Sequence, residues 1–311
     1  MSAVRDAPPG AVIFVKAGRY NEHLELGSKP VTIEGEMVGQ RLGTIIEWSH
    51  GNAVTVTNQR NPSVFPAVSL RNLVIACRGN KERVHAVSAS NGSQVSIFGC
   101  HLTSTGLHGS GVSVVGSGTH AHLDECHVTD CGGAGLFLAR KASAYVTNKT
   151  VICKNDEGGI GVTGVGSTVS INNNSFIREN SRVGLFVSSG GEAILTESVI
   201  SGNTGFGIIV HGEASRVGLE NGCFVRENSK GGIFAAAGAN SVVKHGNFIS
   251  GNEGHGVKAV GVGTHVTARG SVVTSNKMGV MDASGGAVVL IGLFELEFDE
   301  IIAQQFLEIL G

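Results

Sequence analysis

Eight glycines, each followed by an aliphatic residue, return along the chain with a period of about 24 residues: Gly111, Gly135, Gly159, Gly184, Gly207, Gly232, Gly256 and Gly279. A second column keeps step with them: Asn155, Asn180, Asn203, Asn228, Asn252 and Asn276, with Cys131 one unit earlier. A third lies three residues before each of those: Val128, Ile152, Ile177, Ile200, Val225, Ile249 and Val273. Columns that share one period make His108 to Ala283 a repeat, and a unit this short buries its apolar face only by stacking on its neighbours.

The unit itself selects the kind of stack. Runs such as Gly159 to Val162, Thr168 to Ile171 and Ser175 to Ile177 place apolar residues at every second position. That is strand periodicity, and no run in the repeat is long enough for a helix. Three short strands per unit, separated by Gly, Asn or Ser turns, describe one coil of a right-handed parallel β-helix. The expected fold is therefore all-β, with coils about 4.8 Å apart and the aliphatic column buried as a ladder. Asn in its column is expected to occupy the left-handed backbone region and to bond along the stack.

A chain of 311 residues would ordinarily divide into two domains. A solenoid grows by adding coils, so residues 1–285 read as one β-helix and 286–311 as a closing segment. In that segment Ile302, Phe306, Ile309 and Leu310 fall at helical spacing, which predicts a short helical cap, with a partner-binding helix as the alternative. The polar stretches Asn58 to Pro66 and Arg78 to Arg83 read as protruding loops. With a net charge of −2 and no basic run, nucleic acid is not an expected partner. No apolar span is long enough for a membrane, and Met1 to Asp6 lacks the apolar core of a signal peptide, so a cytoplasmic setting is expected. The six cysteines follow the repeat. Cys126 and Cys223 share a small-residue column with Thr150, Ser175, Ser198, Asn247 and Ser271 and read as free buried thiols.

The first coil adds a resemblance. Pro9 to Val15, Gly18 to Glu22 and Pro30 to Gly35 are similar to the opening of pectin-lyase-like β-helix proteins. That group includes pectin esterases, repeat domains shared by carbohydrate-binding proteins and sugar hydrolases, and β-helical F-box proteins. The resemblance implies the fold, and for activity it implies where to look: the outer face of one strand ladder, where such enzymes cluster carboxylates, Arg or Lys. No pectin esterase, polygalacturonase or alginate-epimerase motif stands in the sequence, and no cofactor or metal is expected.

Three groups could carry chemistry. Asp130, Asp156, Glu157 and Glu179 fall on adjacent coils at the Asn turn, close enough for a carboxylate pair; Lys154 and Arg178 among them favour a charge-balanced edge. Cys100, His101, His108, His120, His122, Cys126, His127 and Cys131 form a cluster rich in soft ligands, with His101 and His127 placed to stack. Strand alternation sends Cys126 and His127 to opposite faces, which argues against a metal. His255, in Gly-His-Gly-Val, reads as a turn residue.

The outward column after the Asn turn is more informative. It reads Ser113, Phe137, Gly161, Phe186, Ile209, Phe234, Lys258 and Met281, mostly large and apolar on a face that should meet water. A second column, Val151, Phe176, Val199, Phe224, Phe248 and Val272, is similar. Contiguous apolar patches usually mark interfaces. The sequence therefore leads to a non-catalytic binding or scaffold module that presents Phe137, Phe186, Ile209, Phe234 and Lys258 to a protein partner. The alternative is a carbohydrate-active enzyme or glycan-binding protein with a divergent site near Asp130, Asp156 and Glu179; association of like chains is a third option.

Overall fold

The computed structural model describes residues 2–27, 29–58, 67–79 and 83–292. Most of the two expected loops and residues 293–311 of the closing segment lie outside these. A short helix, Ser2–Asp6, leads into three parallel sheets of 12, 11 and 11 strands that run the length of the stack. Each coil contributes one strand to each sheet in turn. In the central part these are, for example, Val151–Cys153 in the second sheet, Gly158–Thr163 in the third and Thr168–Ile171 in the first. The fold is thus an all-β parallel solenoid.

Vertical register holds coil after coil. Ile152 lies opposite Ile177, Ile177 opposite Ile200, Ile200 opposite Val225 and Val225 opposite Ile249. All are fully buried, and each removes a side chain's worth of apolar surface from water, roughly 1.5–3 kcal/mol apiece. The glycine column has a packing cause. A Cβ on Gly159 would stand 2.3 Å from Cγ2 of Ile177 and 2.6 Å from the carbonyl oxygen of Gly184. Gly184 and Gly207 meet the next coil in the same way, so the column admits no side chain where the ladder turns the corner.

The corner between the second and third sheets carries the asparagines, all buried. Oδ1 of Asn203 accepts from the backbone N–H of Asn180 and from its side-chain amide, both at 3.0 Å. The pattern repeats from Asn155 to Asn276 and begins at Cys131, whose N–H donates to Asn155 Oδ1. The left-handed backbone falls on the residue before: Asp130, Lys154, Glu179, Gly202, Glu227, Gly251 and Ser275 have φ from 53° to 65°. The expectation that Asn itself takes this conformation is corrected: the amide is needed for the ladder, and the turn's strain sits one position earlier.

The small-residue column closes the preceding corner, where Thr150, Ser175, Ser198 and Cys223 donate to carbonyls two or three residues back. All six cysteines are free and buried. At the far end, Val257 pairs with Met281, which puts Gly256 opposite Val280. The sequence alignment ran one residue early there, so Val280 is outside the ladder and 42% exposed. The last strand, Val288–Gly292, still belongs to the first sheet, so the change of pattern after Gly286 does not end the coils.

Two outcomes follow from this packing. Asn203→Ala leaves the donors of Asn180 facing a buried void, and each buried group without a partner costs about 1–3 kcal/mol. Urea unfolding is expected to show a loss of about 2–4 kcal/mol, against little change for Glu213→Ala at an exposed turn. The second concerns His85, which burial pushes down to about 4. Its Nδ1 accepts the N–H of Ser110 at 3.0 Å, so the folded state holds the neutral ring. Because the folded value lies below the unfolded one, this stability is complete above pH 6.5 and drains as pH falls towards 4. Wild type should lose about 3 kcal/mol from this group across that window, and His85→Gln should flatten the profile.

Candidate functional sites

Outward-facing residues form columns, and two of the three sheets carry distinctive ones. On the third sheet, Phe137, Phe186, Ile209 and Phe234 line one groove of about 660 Å³, with Ile160, Val183 and Phe206 beside them. Phe186 is 37% exposed, and Phe206 stacks on Phe234 at 5.1 Å. The rim comes from the residues just after the Asn ladder: Glu157, Ser181, Arg182, Thr204 and Lys230. Glu157 is hydrogen-bonded to His108. Lys258 is not in the lining; it pairs with Asp282 at 2.7 Å, and that ion pair holds the Asp282 carboxyl below its usual range. Two expected members of the column differ. Ser113 is buried, and Met281 lies in the inward register, 52% exposed because it belongs to the final coil. On the second sheet Phe224 stacks on Phe248 at 5.1 Å.

Of the acids at the Asn turn, Asp130 and Glu179 precede the buried ladder residue of their coils, whereas Asp156 and Glu157 follow it. Glu179 is ion-paired to Arg178 beside it. His101 and His127 stack at 5.2 Å on the outer face of the second sheet, as their equivalent positions imply. Cys126 points inward, away from His127, and no group of three or more metal-type ligands occurs among the described residues. Burial pushes the thiols of Cys126 and Cys131 up to about 12, which favours the neutral thiol over the reactive thiolate.

A polar cluster lies on the outer face of the first sheet, of which the sequence reading names His120 and His122 in another context. Three columns cross four coils there. Ser69, Ser96, His122 and Tyr145 form the middle one. Arg71, Phe98, Asp124 and Thr147 form the second, and Gln94, His120 and Ser143 the third. Ser69, Arg71, Ser96, Phe98, His122 and Asp124 surround a depression of about 320 Å³. Tyr145 borders it one coil on, 50% exposed, its ring edge-on to His120 at 4.9 Å and to His122 at 6.1 Å. His120 Nδ1 is bonded to Ser143 Oγ and His122 Nε2 to Thr147 Oγ1, both at 2.9 Å, so each ring is oriented by a hydroxyl. Burial, then the neighbouring His122, holds His120 below its ordinary value. Arg71 contacts Ser69 Oγ and forms no ion pair among the described residues. Oδ1 of Asp124 is buried and has no hydrogen-bond partner among the described residues. A buried carboxylate oxygen without a donor is costly in the free protein and ready to accept one from a ligand.

The comparisons with known proteins agree with this architecture. Residues 158–299 match the family model described as a right-handed beta helix region. The chain has the fold of a right-handed parallel β-helix. Among solved structures it is similar to the A-module of the mannuronan C-5 epimerase AlgE6 of Azotobacter vinelandii, at 16% identity and a TM-score of 0.59, over 94% of this chain and 90% of that one. The A-module of AlgE4 from the same organism gives 16% identity and 0.58, over 94% and 91%. A mutant form of the periplasmic alginate epimerase AlgG gives 13% identity and 0.51, over 93% and 82%. At such identities the likeness concerns the fold. No curated protein matches the chain.

If Asp124 is held for a ligand and not for the fold, removing it should not harm stability. Asp124→Ala is expected to keep or raise the thermal midpoint, because an unpartnered buried oxygen disappears; a fall equivalent to about 2 kcal/mol or more would mark the carboxylate as structural.

Proposed function

We propose that the polar face of the first sheet binds an acidic polysaccharide, a polymer of hexuronic acids, and abstracts the proton next to its carboxylate. The observation that carries the reading is the buried, partnerless Asp124 oxygen inside a depression that also presents Arg71, His122 and Tyr145. This favours the carbohydrate-directed alternative over the non-catalytic scaffold, and it moves the site from the Asn turn to the first sheet. The similar folds of the two A-modules, whose names specify mannuronan and its C-5 position, support the same substrate class.

The chemistry follows from what a uronate requires. Its C5 proton is made acidic by the adjacent carboxylate, and the electron pair released on its removal spreads into that carboxylate. Arg71, exposed at the edge of the depression, supplies a cation that holds the carboxylate of a neighbouring sugar unit and so positions the reacting one. His122, with Nε2 held by Thr147, offers its other ring nitrogen as the base. Asp124 accepts a sugar hydroxyl and fixes the ring over the base. The Tyr145 phenol returns a proton, to the opposite face of C5 in epimerisation or to the departing glycosidic oxygen in elimination. Successive coils lie about 4.8 Å apart, so Arg71 and Tyr145 are separated along the stack by about 14 Å, enough for several sugar units of an extended chain.

Both outcomes share the loss of the C5 proton, which sets the test. Polymannuronate, polyguluronate and polygalacturonate would be incubated with the protein in deuterated buffer and followed by proton NMR. Wild type is expected to exchange or eliminate at C5 on one of them, with His122→Gln and Tyr145→Phe lowering the rate about 10²–10⁴-fold. Saturable binding without exchange would reduce the reading to a glycan-binding module. Absence of binding to all three polymers would remove it.

A further inference from the structure

The apolar groove of the third sheet takes no part in that chemistry, and the pattern of residues along it points to what it holds. We infer that this groove is a second binding site for a 1→4-linked polymer of hexuronic acids, laid along the stack with its sugar rings on Phe186, Ile209 and Phe234. The inference rests on the preceding reading for its ligand class and uses none of that site's residues.

The floor sets the spacing. Phe137, Gly161, Phe186, Ile209 and Phe234 follow one another in register, so an aromatic ring stands on every second coil. With coils about 4.8 Å apart, the three Phe rings recur at about 10 Å along one line. A sugar unit of an extended 1→4-linked chain advances about as far as one coil. When each unit is turned half a revolution from the last, alternate units show the same face, and that face meets a Phe at every return. The C–H side of a sugar ring packs on an aromatic face as other apolar surface does.

The edges supply the charge, and they alternate as such a chain requires. On the side of the Asn corner, Arg182 and Lys230 stand immediately before the strands that carry Phe186 and Phe234. The equivalent residue on the coil between them is Gly205, where a Cβ would collide with the Arg182 carbonyl oxygen, so no side chain separates the two cations. The half-turn sends the intervening carboxylate to the opposite edge. There the coil of Ile209 carries His211, exposed and two residues further along the same strand, whose ring offers an N–H. Arg182, His211 and Lys230 form no ion pair among the described residues. Glu157, the acid in the lining, sits one coil before Phe186 and is hydrogen-bonded to His108. Three successive units thus each find an apolar floor and, on alternating sides, a donor for the carboxylate. An acidic helix would offer its charges to both edges at each turn and has no use for the alternation.

Affinity electrophoresis and calorimetry with polymannuronate, polyguluronate and polygalacturonate test this in the full chain carrying Arg71→Ala and His122→Gln, which disable the first-sheet site. That chain is expected to keep binding one of the polymers, to release it as salt rises, and to ignore the same polymer with its carboxylates reduced to alcohols. Adding Arg182→Ala with Lys230→Ala should weaken the remaining binding about tenfold or more, and Phe186→Ala should do likewise. Both cations stand at exposed turns, so their removal tests the site even where a Phe variant fails to fold. Binding that survives these changes, or no binding once the first-sheet site is disabled, overturns the inference. A synthetic helical peptide of Leu and Glu bound in place of the polymers would assign the groove to an acidic protein segment and also overturn it. Deuterium exchange at C5 keeps the two readings apart: polymer held through the groove of a wild type that exchanges nothing would remove the first-sheet chemistry and leave the second site standing.

Discussion

Everything on this molecule's surface depends on coils meeting in register, and the strongest enforcement of that register is the chain of amide bonds at one corner. Each buried Asn is donor to the next coil's amide oxygen and acceptor from the previous coil, so a slip of one residue would strand several buried polar groups at once. The aliphatic ladder beside it tolerates exchange among Ile, Val and Leu, because apolar contact is not directional. The division of labour is clear: the ladder of amides fixes position, and the ladder of aliphatics supplies most of the burial energy.

Register turns a sequence into a set of columns, and each column meets one environment along its length. The consequence is that inward and outward columns can change separately. On the first sheet, Ala121, Leu123, Ala144 and Val146 are buried and ordinary, while His120, His122, Asp124 and Tyr145 alternate with them on the outside. A cluster with catalytic potential therefore costs the core nothing. What it does cost is local: an Asp124 oxygen without a donor among the described residues and a His120 ring whose protonation burial disfavours. Strands also suit such a cluster because their backbone is held by both neighbours, so side chains are oriented more firmly than on loops.

Much of this was legible from the residues alone, for a physical reason. Burial repeats with the period, so Ile177, Ile200 and Val225 could be placed inside, and Phe186 and Phe234 outside, by counting. The acids at the Asn turn were harder, because one-dimensional proximity placed Asp130 with Asp156 although one precedes and the other follows the ladder position of its coil. The Asn conformation was misjudged because two explanations, left-handed backbone and lateral bonding, favour the same residue type; only coordinates show that the first belongs to Asp130, Lys154 and Glu179. The last coil slipped by one because Gly279 and Val280 imitate the ladder pair, while pairing favours Met281.

The first-sheet cluster was missed for a different reason. Its first two coils precede the regular repeat, so Ser69, Ser96, His122 and Tyr145 are unequally spaced and no fixed period brings them together. His120 and His122 were visible, but grouping them with Cys126 and Cys131 by sequence distance mixed a solvent face with the interior. Alternation within a single strand was the available signal: in His120, Ala121, His122, Leu123 and Asp124 every polar residue shares one face. That strand needs no repeat to be read, only the recognition that three titratable groups have been set side by side on a face the core does not require. The same argument explains why folds at 13–16% identity can agree over most of their length while their chemistry must be decided locally. The inward columns are held by packing and are few in kind, whereas the outward ones are free to differ, and it is among these that a polar depression and an apolar groove stand on two sheets of one stack.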